Sequence, residues 1–489
     1  MISSLWLLGV AALPLVAVVV LLIWRKATKL QAGVLALVSE GLTLLIVFLL
    51  LPRLRQDGAV FYSFAWIQNL SINFSLELNW LSLVFLVTEM AVTLAAMVYS
   101  LGENTGEKSS NYYYALLLLF SLGMSGTTLA EDVFVFYIFW ELMLLASVLL
   151  ILIWGHGEER GKVSLKYFIV THLGSLIVLV GLITLYVNVG SSSLSVLMEQ
   201  AGSLPLQMQR TLTALFVIGF SVKMAIFPLH IWLPDAHTVA PTPVTIILAA
   251  AMLSMGTYGI LRFPFSLFSM EALQPFSLWM MITGLISEVY GALMAFAEKD
   301  VKRIIAYSSV SQMGYILFGL GSLTEVGMQG AVMHVVYHAI VKGLLFMVVG
   351  IIIQATQERD IQKLGGLGKA LPAVCLAAAV GALGISGMPP LGIFNSEWMI
   401  FSGGFETGFP AILTIGTLLG SIFTVIYALR FFGAIFLGDQ RPDKLPKKAS
   451  LALILPTVAV AVLLLLGGIL PGPLLSWVVR GVQGVVGGL

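Results

Sequence analysis

The sequence predicts an all-α integral membrane protein of about fourteen transmembrane helices. Of its 489 residues, 59% are apolar and only 10% are charged, and the mean hydropathy is +1.01. Apolar runs of about twenty residues recur along the chain, and a helix of that length crosses a hydrocarbon core of ~30 Å. Hydrocarbon offers no partner to an open backbone, so each run is expected to be helical.

The apolar runs follow one another in a regular order. They are placed at 4–24, 32–52, 78–100, 113–130, 132–153, 165–188, 211–227, 243–263, 275–297, 304–321, 329–352, 371–400, 410–434 and 450–470. Four segments are expected: helices 1–3 in 1–110, a first repeat in 111–265, a second, inverted repeat in 266–435, and a C-terminal helix and tail in 436–489.

Bulk charge and cysteine content exclude several classes of function. The net charge of +1 suggests no nucleic-acid partner. Cys375 is the single cysteine, which excludes an internal disulfide and a CxxC metal or redox site. We therefore expect no metal and no cofactor in this chain.

The distribution of basic residues predicts the orientation of the chain. Of the 25 lysines and arginines, seventeen fall in the connections after odd-numbered spans, five on the other face or in the tail, and three inside spans. The positive-inside rule then places both termini on the outer side of the cell membrane.

Two of the predicted spans are interrupted by proline. The seventh should break near Pro228 and Pro234, and the twelfth within 384–390, because proline removes a donor and clashes with the preceding turn. Breaks five spans apart are typical of inverted-repeat transporters, here with helices 4–8 repeated as 9–13. Two incidental kinks are the alternative.

Titratable residues inside the spans are candidates for ion transport. Glu141 lies in the fifth span and Lys223 just before the first break. Each costs roughly 2.5–3.5 kcal/mol at the bilayer centre, so we expect the two to pair and to form a proton switch. A static bridge that orders the helices is the alternative.

The eleventh and twelfth spans hold four further candidates. His334, His338 and Lys342 are spaced four apart, so they line one helix stripe and could relay a proton. A packed polar stripe or a metal site is the alternative, although a third ligand is missing nearby. Glu397 follows the second break, in a place comparable to that of Lys223, and suits a terminal proton acceptor. It could instead be an acid at a helix start.

Several long motifs resemble one known family. The stretches 136–142, 227–237, 240–243 and 300–309 look like the antiporter-like subunits shared by complex I, membrane-bound hydrogenases and multisubunit sodium/proton antiporters. This resemblance covers about 75–435 and implies two inverted half-channels joined by a polar axis. It also implies that the proton carriers are Glu141, Lys223, His334, His338, Lys342 and Glu397, with His230, Asp235 and His237 as possible support in the seventh span.

Two positions depart from the M-type subunit that the chain resembles best. That type carries a lysine in the eighth span where this chain has Ser254. A lysine at position 342 is more similar to the antiporter and hydrogenase branches of the family. The resemblance implies a proton-translocating subunit of a redox-driven complex. Flavin, iron–sulfur or nickel–iron centres would then lie in a peripheral arm and other partner subunits. The alternatives are a subunit of a multisubunit sodium/proton antiporter and a scaffold that has lost conduction.

Overall fold

The computed structural model describes residues 2–24, 26–70, 72–103, 109–439 and 449–486. Six of the basic residues used to predict orientation lie outside the described residues: Arg25, Lys108, Arg441, Lys444, Lys447 and Lys448.

Helices account for nearly all of the described chain. They are α1 (Ile2–Ile23), α2 (Lys29–Asp57), α3 (Trp80–Gly102), α4 (Ser110–Leu129), α5 (Val133–Trp154), α6 (Arg160–Val189), α7 (Leu194–Gln200), α8 (Leu206–Met224), α9 (Leu233–Val239), α10 (Thr242–Ile247), α11 (Leu253–Ile260), α12 (Met270–Ala297), α13 (Val301–Gly321), α14 (Glu325–Thr356), α15 (Pro372–Ile385), α16 (Gly392–Phe405), α17 (Ile412–Phe436), α18 (Leu451–Ile469) and α19 (Gly472–Val486). Short 3-10 turns lie at Gln68–Leu70, Ala201–Ser203 and Leu229–Trp232.

The predicted multi-pass architecture is confirmed. Within the described residues, thirteen helical segments are long and apolar enough to cross a bilayer, and the α15–α16 pair supplies the twelfth predicted span. The apolar window of α13 is 100% buried, whereas that of α1 is 33% buried. The segment 242–265 is likewise 100% buried, whereas the windows of α2, α17 and α18 are 33% buried. The middle of the chain therefore supplies the centre of the bundle, and helices near both ends present apolar side chains outward, as lipid-facing helices do.

Both predicted helix breaks are present. The first follows Met224, where Ala225 adopts a left-handed conformation (φ 57°), and the chain resumes as a 3-10 turn and α9. The second separates α15 from α16, with Gly387 at φ 65°. The eighth span contains two π-helical segments, Leu248–Met252 and Leu261–Phe265, which the sequence did not predict.

Two further elements were not predicted from the sequence. A hairpin of β1 (Val60–Ile67) and β2 (Ile72–Leu78) connects α2 with α3, and its antiparallel register pairs Val60 with Leu78 and Phe64 with Phe74. The tail forms the amphipathic α19 against α3 and α14, where the Arg480 guanidinium lies 4.6 Å from the centre of the Trp80 ring.

Helices α12 and α13 approach each other at glycines. A Cβ atom on Gly314 would lie 2.5 Å from the Glu288 backbone nitrogen, and one on Gly284 would lie 2.7 Å from the Gly314 carbonyl oxygen. The two backbones are therefore in direct contact, and they hold the Glu288 side chain in the interior.

Candidate functional site

Glu141 is positioned by the N-terminal cap of α5. The Asp132 side chain accepts hydrogen bonds from the backbone N–H groups of Phe134 and Val135, which starts the helix two turns before Glu141. The Glu141 carboxylate contacts His172 of α6, with 3.1 Å between Oε2 and Nδ1, while Oε1 is buried without a hydrogen-bond partner in the described chain. Its direct partner is thus a histidine, a residue that the sequence analysis left without a role.

Lys223 does not form the direct ion pair expected with Glu141. Its side chain is 1% exposed, and Nζ has no hydrogen-bond partner among the described residues. The ammonium instead lies 5.0 Å from the centre of the Trp140 ring, a cation–π contact that is stronger where water is excluded. Glu141 remains within electrostatic range of Lys223, so the two groups are coupled through space without touching.

The first break is held by a tryptophan and by ion pairs. The Trp232 indole N–H donates to the Val222 carbonyl at 3.0 Å, and the same carbonyl accepts the Ala225 backbone N–H at 3.2 Å at the end of α8. Asp235 pairs with Lys166 of α6 at 2.8 Å and with Arg303 of α13 at 2.9 Å. Asp235 therefore joins helices from both predicted repeats.

The two histidines of this segment differ in their surroundings. His230 lies among aromatic rings, with 5.6 Å to the Phe227 centroid and 4.9 Å to that of Tyr290. His237 is fully buried and stacks on Phe346, and neither of its ring nitrogens has a hydrogen-bond partner within the described ranges.

Ser254 lies in α11, directly after a π-helical segment. It is 2% exposed, and its hydroxyl donates to the Ala251 carbonyl of its own helix. The hydroxyl is thus satisfied locally and supplies no charge where the resemblance led us to expect a lysine.

The histidine and lysine stripe of α14 is entirely buried. His334 is fixed by Ser396 and Gln312, each at 3.0 Å from a ring nitrogen. His338 has no hydrogen-bond partner in the part of the chain that is described. Lys342 donates to the Ile305 carbonyl at 3.1 Å and to the Ser308 hydroxyl. No group of three potential metal ligands among His, Cys, Asp and Glu occurs in the described residues.

Glu397 lies on α16, after the second break, whereas Lys223 precedes the first. The comparison of their places made from the sequence is therefore only approximate. The Glu397 carboxylate packs on the break itself, because a Cβ atom on Gly387 would lie 2.2 Å from Oε2. Oε1 is buried without a partner in the described structure.

Glu288 is a buried carboxylate to which the sequence analysis gave no role. It lies against Gly420 of α17 and within electrostatic range of Glu397 and Tyr315. Its position as an acidic residue inside an apolar run could have marked it as a candidate. The sequence does not show that side chains of α13, α16 and α17 surround it.

The fold and its buried titratable side chains define a multi-pass membrane protein of the antiporter-like class. A family model described as NADH:quinone oxidoreductase/Mrp antiporter, TM, matches residues 130–424. NADH-quinone oxidoreductase subunit M of Rickettsia felis is 31% identical over 435 residues, which are 87% of each chain. The chain belongs to the NADH:quinone oxidoreductase/Mrp antiporter family of membrane subunits, and the resemblance to the M-type subunit is confirmed.

Two solved structures have closely similar folds. One is in the Mrp complex from Dietzia sp. DQ12-45-1b, with a TM-score of 0.87 at 27% identity, covering 100% of this chain and 52% of that one. The other is in the membrane-bound sulfane sulfur reductase, an archaeal respiratory membrane complex, with a TM-score of 0.88 at 28% identity, covering 96% and 77%.

Proposed function

We propose that this chain is a proton-translocating antiporter-like subunit of a redox-driven membrane complex of the complex I or hydrogenase type. The observation that supports it best is a series of buried titratable groups in the spans with unpaired polar atoms, namely Lys223, His338 and Glu397. Unpaired groups at such depth are costly, and a transport role accounts for their presence better than a structural one.

Each candidate residue takes a specific role in this proposal. Glu141 and Lys223 act as a proton switch across α5 and α8, with His172 as the immediate partner of Glu141. The α14 stripe of His334, His338 and Lys342 relays the proton. Glu397 is the terminal acceptor, and Glu288 is the nearby charge that affects its occupancy.

The segment boundaries predicted from the sequence become the functional units of the proposal. Residues 111–265 form the first half-channel repeat and 266–435 the second, inverted one, each containing one broken helix. Residues 1–110 and 436–489 flank them. Asp235, which pairs with side chains on both sides of this boundary, supports a joint operation of the two units.

The proposed setting is the plasma membrane, with both termini outside. Other antiporter-like and small membrane subunits are the neighbours, and a peripheral arm carries the redox centres, since the relatives above belong to multisubunit membrane complexes. Protons are the transported ion in this proposal. Ser254 leaves the eighth span without a charge at this position, and Lys342 is the buried lysine on the axis in the second unit.

A subunit of a multisubunit sodium/proton antiporter is the second candidate. It is favoured by the similarity to the Mrp complex of Dietzia and by Lys342, which is more similar to that branch. Neighbouring genes distinguish the two candidates: genes for iron–sulfur and hydrogenase-like large subunits support a redox pump, and their absence supports an exchanger.

Substitution of the first charged groups tests the proposed function. We expect Glu141→Gln and Lys223→Ala each to leave assembly intact and to lower proton translocation about tenfold or more, because each removes one titratable group from a low-dielectric switch. The measurement is proton uptake by vesicles containing the assembled complex, normalised to electron transfer.

An exposed ion pair of the same chain supplies the matched control. Glu159 and Lys162 are 3.2 Å apart and largely exposed, so Glu159→Gln and Lys162→Ala should pump as the wild type does. The proposed function would be contradicted if Glu141→Gln and Lys223→Ala both translocated as many protons per electron transferred as the wild type.

A further inference from the structure

A polar cavity of about 410 Å³ opens on one face of the bundle. Its wall includes Glu103, His156, Thr242, Lys302, Gln354 and Arg359, which lie in or next to the connections after odd-numbered spans. The distribution of basic residues assigns this face to the inner side of the membrane. The cavity therefore brings polar groups of five connections to one place on the predicted inner surface.

A glutamate and a lysine line this cavity. Glu103 Oε1 accepts a hydrogen bond from the Thr242 backbone N–H at 3.3 Å, and Oε2 is buried with no partner among the described residues. Lys302 is 1% exposed, and its Nζ donates to the Ala240 carbonyl at 2.7 Å. Burial raises the pKa of the Glu103 carboxyl, and Lys302 and Lys29 oppose that rise. Glu103 can thus hold a proton at a higher pH than an exposed glutamate does.

Behind this pair lies the buried imidazole of His237. It is within electrostatic range of Lys302 on the cavity side and of Lys342 and His338 on the axis side. Leaving a buried polar group unpaired is energetically costly, so water is the expected partner of its two ring nitrogens. His237 is therefore placed between the cavity and the relay stripe of α14.

We propose that this cavity is the aqueous vestibule through which protons reach the buried axis from the inner face, with Glu103 as the collecting carboxylate and His237 as the link to His338. The inference rests on the proposed function and adds the access route to it. Glu103 follows the end of α3 and lies outside both repeats. The sequence indicated neither Glu103 nor Lys302 as a candidate proton carrier.

The transfer restores the charges of Glu103 and His237 but moves the His237 proton from one ring nitrogen to the other, so the ring must turn over before it relays the next proton. A hydronium ion in the vestibule gives its proton to the Glu103 carboxylate, which passes it through water to one ring nitrogen of His237. The opposite nitrogen of the resulting imidazolium releases a proton towards His338. Glu103 returns to a carboxylate and His237 to a neutral ring. Lys302 keeps its proton and holds the Ala240 carbonyl at the end of α9.

Cysteine labelling of the assembled complex tests this inference. Cys375 is the only cysteine of this chain, so in a Cys375→Ala background the introduced thiol is the only one in this subunit, and its labelling is measured on this subunit after the complex is separated. Ile353→Cys places a thiol in the vestibule wall, and Lys363→Cys places one on the same face outside it. An impermeant sulfonated methanethiosulfonate, added to the inner face, should react with both. Only the reaction at residue 353 should lower proton translocation, by about tenfold, because the attached group fills the access route and adds a negative charge to it.

A second variant removes the collecting group without changing its shape. Glu103→Gln keeps an oxygen for the Thr242 N–H and should slow proton translocation while Ile353→Cys remains reactive. An unreactive Ile353→Cys, or full pumping by both Glu103→Gln and the labelled Ile353→Cys, overturns the vestibule. In that case Lys223→Ala shows whether the proposed function fails together with the vestibule. If this variant has lost proton translocation, the proposed function stands; if it translocates protons normally, the proposed function fails as well.

Discussion

Lys223 contacts the residue next to Glu141 on α5 rather than Glu141 itself. Trp140 and Glu141 are neighbours on α5, and consecutive helical side chains point about 100° apart. The structure directs Trp140 towards Lys223 and Glu141 towards His172. The sequence indicates that both charges are buried, but it does not give the rotation of one helix against another, which decides which side chains meet.

Glu397 provides a prediction at the residue scale. Glu397→Gln keeps the packing on Gly387 but removes the titratable group, so we expect proton translocation to stop while the complex still assembles. Glu397→Lys restores a titratable group, and lysine normally releases its proton at a higher pH than glutamate. We expect partial pumping with an optimum at higher pH, measured as proton uptake by vesicles across a pH series. Full pumping by Glu397→Gln would show that Glu397 is a structural acid.

At the scale of elements, the spans were predictable and the short pieces between them were not. Bilayer thickness fixes the length of an apolar helix, and proline at 228 and 389–390 marked both breaks. The hairpin was missed because its strands are short and β1 is largely exposed, so no apolar run of bilayer length marks it. The sequence predicts a tail in place of the amphipathic α19, because Arg480 and Gln483 interrupt the apolar pattern of that segment.

The tryptophan at the first break gives a prediction about one element. Trp232→Phe removes the shorter of the two hydrogen bonds to the buried Val222 carbonyl, which keeps the one from the Ala225 N–H, so the protein should be destabilised by about 0.5–1.5 kcal/mol. Thermal unfolding of the purified complex in detergent measures the loss. Trp279, 68% exposed on α12, supplies the matched control, since Trp279→Phe removes no such bond. Equal melting temperatures for the two variants would mean that the bond does not stabilise the break.

For the whole molecule, the unequal distribution of basic residues leads to a prediction of topology. Epitope tags fused to either terminus should be accessible to antibody on intact cells with a permeable outer layer, because both termini are expected outside. A tag inserted after Lys363, in an inner connection, should become accessible only after the membrane is opened. The reverse pattern would invert the assignment of the vestibule face and of the direction of transport.

The glycine contact between α12 and α13 has a consequence for motion. With their backbones in contact at Gly284 and Gly314, the two helices have no intervening side chains that could rearrange, so they are expected to move as one rigid body that carries Glu288 with it. We therefore expect a change in the distance between Glu288 and Glu397 during turnover to come from displacement of α16. Because α16 follows α15 through the break at Gly387, we expect this joint to act as the hinge of that movement.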